Sequence, residues 1–109
     1  MTLSETLSIE LLEQLNPVLE VLRVRRPPLA DQLERAATSA ALNLAEANGR
    51  RGRDAVRVLR IAAGEAREVR AALTVAHALR HADGALIAPA LAVADRLGGV
   101  LHGLLRKLA

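Results

Sequence analysis

Residues 33–50 read LERAATSAALNLAEANGR, and this stretch decides the fold. Leu33, Ala36, Ala37, Ala40 and Leu44 recur every three or four residues, so they share one face of a helix. The run closes on Asn48 and Gly49, with Gly49 expected to supply a left-handed cap. The helix predicted from this pattern spans about Leu29 to Ala47, both of which extend the apolar face.

The same period continues on either side. Leu3, Leu7, Leu11, Leu15, Val18 and Leu22, with Glu5, Glu10, Glu13 and Glu20 mostly between them, predict an amphipathic helix from about Ser4 to Arg23. Pro17 lies inside it and is expected to kink it, the alternative being a new helix capped by Asn16. Arg25, Arg26, Pro27 and Pro28 break the pattern and read as the first loop. Beyond the basic turn Arg50, Arg51, Gly52, a third helix is predicted over Arg53 to Arg80, with Val56, Leu59, Ala63, Ala66, Leu73 and Ala76 as its apolar stripe. His81, Ala82, Asp83 and Gly84 mark its end, where His and Arg complement the negative end of the helix dipole.

A fourth helix, about Ala85 to Lys107, lines up Ile87, Leu91, Ala94, Leu97, Leu101, Leu104 and Leu108. Pro89 fits its first turn if the helix begins near Ala88. Strand-like alternation is missing throughout. Four helices joined by short loops make antiparallel neighbours, so the chain is expected to be all-α, one domain over 1–109, an up-down-up-down four-helix bundle.

Composition narrows the function classes. The 109 residues contain no Cys, Phe, Trp or Tyr, and the apolar half is almost entirely Ala, Leu, Val and Ile. Disulfides, thiolate nucleophiles, cysteine metal sites and aromatic base-stacking platforms are therefore excluded. A core of small aliphatic side chains buries little per residue, which favours further burial by self-association. The first 22 residues hold four acids and no base, unlike the start of a signal peptide. Uncharged stretches such as Gly84 to Ala94 fall short of the roughly 20 residues a bilayer needs. A soluble, cytoplasmic protein without membrane partners is expected.

The net charge of +3 is unevenly spread. Residues 23–80 carry twelve bases and six acids, and fourteen of the fifteen basic side chains are Arg. On a helix Arg53, Arg57, Arg60 and Arg67 share one face, with Arg50 and Arg51 just before it and Arg70 beyond. Such a strip suits the phosphates of a polyanion, and repetition in an oligomer would strengthen its field. The competing reading is a solvated face with Asp54 and Glu68 as intrahelical partners. Asn43 and Glu46 form a polar pair on the second helix, expected to play a structural part by reaching the Arg strip, Glu46 through Arg50 or Arg57.

No catalytic constellation emerges. His77 and His81 stand four apart, the spacing of a two-histidine metal site, but no second helix supplies the remaining ligands. Capping of a helix end suits them better, and neither metal nor cofactor is expected. Ser4, Ser8, Ser39, Thr38 and Thr74 lack a histidine partner, and Gly49 and Gly52 lack the Lys-Ser/Thr of a phosphate loop. Gly98 and Gly99 inside the fourth helix suggest a close helix approach, in the bundle or between subunits.

Arg35, Ala36, Ala37, Ser39, Asn43, Ala45, Glu46, Gly49 and Arg50 fall on the signature of the four helix bundle protein family, also called the S23 or 23S rRNA intervening-sequence protein family. Arg57, Val58, Leu59, Ile61, Ala62, Gly64, Glu65, Glu68 and Val69 resemble its next block at the same spacing. Ala47, Asn48, Val58, Glu65 and Arg70 depart from it, Asn48 and Val58 where relatives carry aromatics. The resemblance implies an antiparallel four-helix subunit that assembles into a ring-like homopentamer. It also implies, through relatives that accompany the reverse transcriptases of diversity-generating retroelements, a basic surface for RNA, DNA or such a polymerase.

Two functions follow as expectations. In the first, a non-enzymatic oligomeric bundle binds nucleic acid or a nucleic-acid enzyme through Arg50, Arg51, Arg53, Arg57, Arg60 and Arg67. In the second, the protein is a scaffold or adaptor that docks a protein partner, and the arginines serve solubility or pair with Glu10, Glu13 or Glu20 of another subunit.

Overall fold

The computed structural model describes residues 1–108 as four α-helices: α1 (Leu3–Arg25), α2 (Pro27–Asn48), α3 (Gly52–Ala78) and α4 (Gly84–Leu108). Each helix packs on its neighbours in the chain, and α1 also packs on α4, which closes a square with α1 opposite α3 and α2 opposite α4. The connectors are so short that successive helices must run antiparallel, the up-down-up-down arrangement. The particle measures 43 × 21 × 19 Å, one long helix in height and two helices in width.

The helix ends show which local rules won. Thr2 caps α1 in a reciprocal box: its hydroxyl accepts from the Glu5 N–H at 3.2 Å, while the Glu5 carboxylate accepts from the Thr2 N–H. Pro17 neither ends α1 nor starts a second helix; the helix runs through it. Pro17 and Glu13, whose carbonyl loses its donor, both lie on the exposed side, where water can take the place of the missing N–H. The predicted first loop shrinks to Arg26 alone. Pro27 and Pro28 open α2, where a missing N–H costs nothing, and the Arg26 carbonyl accepts from Leu29 and Ala30 at 3.1 Å.

Gly49 does not take the left-handed cap expected of it, having φ −91°. Among the described residues the left-handed positions are Gly52 (φ 60°), the first residue of α3, and Arg80 (φ 59°) just past its end. Arg80 stands where glycine is the usual choice: the Arg80 N–H donates to the His77 carbonyl and the His81 N–H to the Ala76 carbonyl, a Schellman closure. The end of α3 is thus closed by the backbone of His81. α4 starts at Gly84 and not near Ala88, so Pro89 lies inside the helix and beyond its first four residues. The Asp83 carbonyl accepts from Leu86 and Ile87 there.

The core is the aliphatic one expected, with α1 contributing Leu7, Leu11, Leu15, Val18 and Leu22, and α2 contributing Leu33, Ala36, Ala37, Ala40 and Leu44. On α3 the buried line is centred on Val58, Ala62, Val69 and Ala76, rotated from the predicted stripe, so that Val56 and Ala63 are only half-buried. The reason is that α3 packs on both α2 and α4, and its buried arc bisects the two contacts. Leu3, Leu104 and Leu108, predicted as core, are exposed because they overhang one end of the bundle.

Ser4 and Ser8 are buried and bonded, Ser8 donating to the Glu5 carbonyl at 2.7 Å. Gly98 and Gly99 do not mediate a close approach within the subunit: a Cβ at either meets nothing within 4 Å. They border instead a groove of about 370 Å³ between α3 and α4. α4 as a whole is long and apolar enough to cross a membrane by length and composition, contrary to the reading of its uncharged stretch alone. Its Ile87, Ala90, Ala94, Leu97 and Leu101 are spent on the bundle core.

Candidate nucleic-acid interface

α3 presents Arg53, Arg57, Arg60 and Arg67 on the face opposite its buried line, and all four are exposed. From Arg53 to Arg67 the strip climbs about 21 Å at the rise of an α-helix. Gly64 lies within it and leaves open space, since a Cβ there would meet nothing within 4 Å. Arg50 and Arg51 stand at its foot in the connector, Arg51 being the N-cap residue of α3 with extended backbone and no side-chain cap.

The arginines divide by partner. Arg50 is clamped between two carboxylates, its Nε donating to Glu46 at 3.0 Å and its terminal nitrogens pairing with Glu46 and Asp54. Arg57 shares Asp54 at 3.2 Å. Hydrogen bonds first from Arg50 and then from Arg57 hold the Asp54 carboxyl below the usual carboxylate range, and Glu46 before Asp54 pushes the Arg50 guanidinium further up. Arg70 points sideways and pairs with Asp95, tying α3 to α4. Among the described residues, Arg51, Arg53, Arg60 and Arg67 have no carboxylate within ion-pair distance.

Glu46 therefore does what the sequence suggested, meeting Arg50. Asn43 does not reach the next helix: its amide donates to the Ser39 carbonyl at 2.9 Å and to the Ser39 hydroxyl at 3.1 Å, a bond within α2. Glu68, expected as an intrahelical partner of the strip, accepts instead from Gln32 of α2 at 3.5 Å. The Arg70–Asp95 pair had no sequence signal, because it depends on how α3 and α4 are rotated against each other. His77 lies against Gly84, where a Cβ would come within 2.9 Å of its Nε2. No group of three or more potential ligands gathers among the described residues.

Two surface depressions bear on the strip. One, about 790 Å³, is lined by Arg50, Arg51, Arg53 and Arg60 with Ala55, Val56 and Leu108. The other, about 810 Å³, lies away from it between α1 and α2, where Glu13, Asp31, Glu34 and Arg35 surround an apolar floor and Glu34 pairs with Arg23 at 2.6 Å. Ile9 and Leu42 stand 43% and 66% exposed beside that floor.

No curated protein matches the chain. A solved structure from Bacteroides thetaiotaomicron, described as a protein of unknown function from the S23 ribosomal protein family, superposes with a TM-score of 0.84 at 18% identity. That comparison covers 94% of this chain and 98% of the other, and it establishes the shared fold. Residues 6–103 match the family described as 23S rRNA-intervening sequence protein, nearly the whole bundle from the first turns of α1 to the last of α4, and the chain belongs to that family.

Proposed function

We propose that the protein is a non-enzymatic, self-associating bundle, a homopentamer by family resemblance, that binds the phosphate backbone of RNA or DNA. A nucleic-acid enzyme such as a reverse transcriptase would engage the same arginine face. The observation that carries this reading is the exposed line Arg51, Arg53, Arg60 and Arg67, free of carboxylate partners among the described residues. Without aromatic side chains the surface reads charge and shape, so contacts go to phosphate and carry little sequence preference. Arg50 serves to hold the α2–α3 connector through Glu46 and Asp54.

Electrophoretic mobility shift at low salt, with generic RNA and duplex DNA, tests it. Binding is expected in the native protein and lost in Arg53→Glu/Arg57→Glu/Arg60→Glu; retention in that variant overturns the reading. A second reading, an adaptor for a protein partner, is favoured by the groove between α1 and α2 with its exposed Ile9 and Leu42. Light scattering with a pull-down after nuclease treatment separates the two, since only the adaptor keeps its partner when nucleic acid is gone.

A further inference from the structure

One end of the bundle is open. There the first residues of α1, the last of α2 and α4 and the start of α3 surround a cleft of about 320 Å³ walled by Leu3, Leu44, Leu59, Val100, Leu104 and Leu108. Leu44 and Leu59 are core residues and form its floor, while Leu3 and Leu108, 53% and 56% exposed, form its lip. The arginine-lined depression adjoins it, with Ala55 and Leu108 common to both walls. Among the described residues no acid lines either one, and the nearby Glu46 and Asp54 are already engaged by Arg50. The depression at the opposite end, about 690 Å³, offers no such division, mixing Arg25, His77 and Arg80 with Asp83.

We propose that the open end binds one anionic amphiphile, a linear acyl chain with a carboxylate head. The chain enters between the helix ends and the head meets Arg51, Arg53 and Arg60. Three features select this occupant. The cleft is at the small limit of ligand pockets, about 300 Å³, which suits a single flexible chain and is too narrow for a partner helix. Its wall is aliphatic and its lip exposed, so an acyl chain removes apolar surface from water on both sides of the contact. Arg51, Arg53 and Arg60, without carboxylate partners among the described residues, lie on one side of the mouth, which orients the head. The proposal stands apart from the nucleic-acid reading, although Arg51, Arg53 and Arg60 take part in both.

Titration calorimetry of the full chain with decanoate at neutral pH tests it. The expected result is saturable binding of one decanoate per chain, with decanol and butyrate each weaker by about tenfold or more, the first lacking the charge and the second the chain. Leu104→Asp at the lip and Arg51→Ser/Arg53→Ser at the head site are each expected to weaken decanoate about tenfold. All three positions are exposed, so helix content by circular dichroism stays native. Equal binding of decanoate and decyltrimethylammonium, or unchanged decanoate binding in either variant, overturns the proposal. So does binding to phosphatidylglycerol vesicles without saturable decanoate binding, which would make the end a bilayer-docking surface. Arg67→Glu lies up α3, outside the cleft, and is expected to weaken RNA binding while leaving decanoate untouched; loss of decanoate binding in this variant counts against the assigned head site.

Discussion

α1 and α3 stand diagonally across the bundle, and they spend the same aliphatic alphabet on opposite ends. Their inner faces are interchangeable in kind: Leu7, Leu11, Leu15 and Val18 on one, Val58, Ala62, Val69 and Leu73 on the other. Their outer faces are opposed. α1 carries Glu10, Glu13 and Glu20 without a base before Arg23, whereas α3 carries a line of arginines. The core stripe specifies the fold and is insensitive to what the outer face does, so the outer face is where this chain's individual chemistry is written.

The contrast can be broken or sharpened by substitution. The largest effect is expected inside. Leu15→Ala, at a fully buried position, should cost about 2–5 kcal/mol by denaturant unfolding. Glu13→Lys, two residues away on the outer face, should stay within about 0.5 kcal/mol. Equal costs would mean that α1 is held by its charges.

Next comes salt dependence on the basic face. If Arg51, Arg53, Arg60 and Arg67 each meet one phosphate, the slope of log K against log salt for duplex DNA is about −3.6 per subunit. Arg67→Glu should reduce it by about 1, while Glu10→Lys on the acidic side should not flatten it. A slope near zero in the native protein would sever the strip from nucleic acid.

A smaller effect concerns how α3 ends. Arg80 holds a left-handed conformation that costs an ordinary residue roughly 1–2 kcal/mol and glycine almost nothing. Arg80→Gly is therefore expected to stabilise the fold by about 1 kcal/mol or less, because glycine also loses more freedom on folding. A destabilised variant would show that the Arg80 side chain makes up the difference.

The smallest effect is on acid stability. The folded Asp54 carboxyl titrates below its ordinary value of 3.8, so its pairing with Arg50 and Arg57 is intact above that pH. It is lost as pH falls through the lowered folded value. Asp54→Asn should leave stability at neutral pH almost unchanged, the pair being exposed, and flatten the acid limb of the pH profile slightly.

Helix number and type were legible in the sequence because the three-and-four spacing of Leu and Ala survives over every element. What escaped it depended on neighbours. Pro27 and Pro28 read as a break by their chemistry, yet the same missing N–H suits a helix start, and only the one-residue connection shows which use was made. The centre of the α3 stripe shifted because two flanking helices share it. The arginines were legible from spacing alone. Their sorting into clamped and unpaired groups was not, since Arg70 finds its acid on another helix. The open end draws its walls from all four helices and leaves no local signature.

Arg26, the lone residue between α1 and α2, also bears on how quickly the chain finds its shape. With one residue there and three between α2 and α3, successive helices meet after closing short loops, and α1–α4 is the seam that joins helices not consecutive in the chain. Loop closure then costs little entropy before packing rewards it. Refolding on the microsecond-to-millisecond scale of helical topologies is the consequence, with docking of α4 against α1 as the step that joins the two ends of the chain.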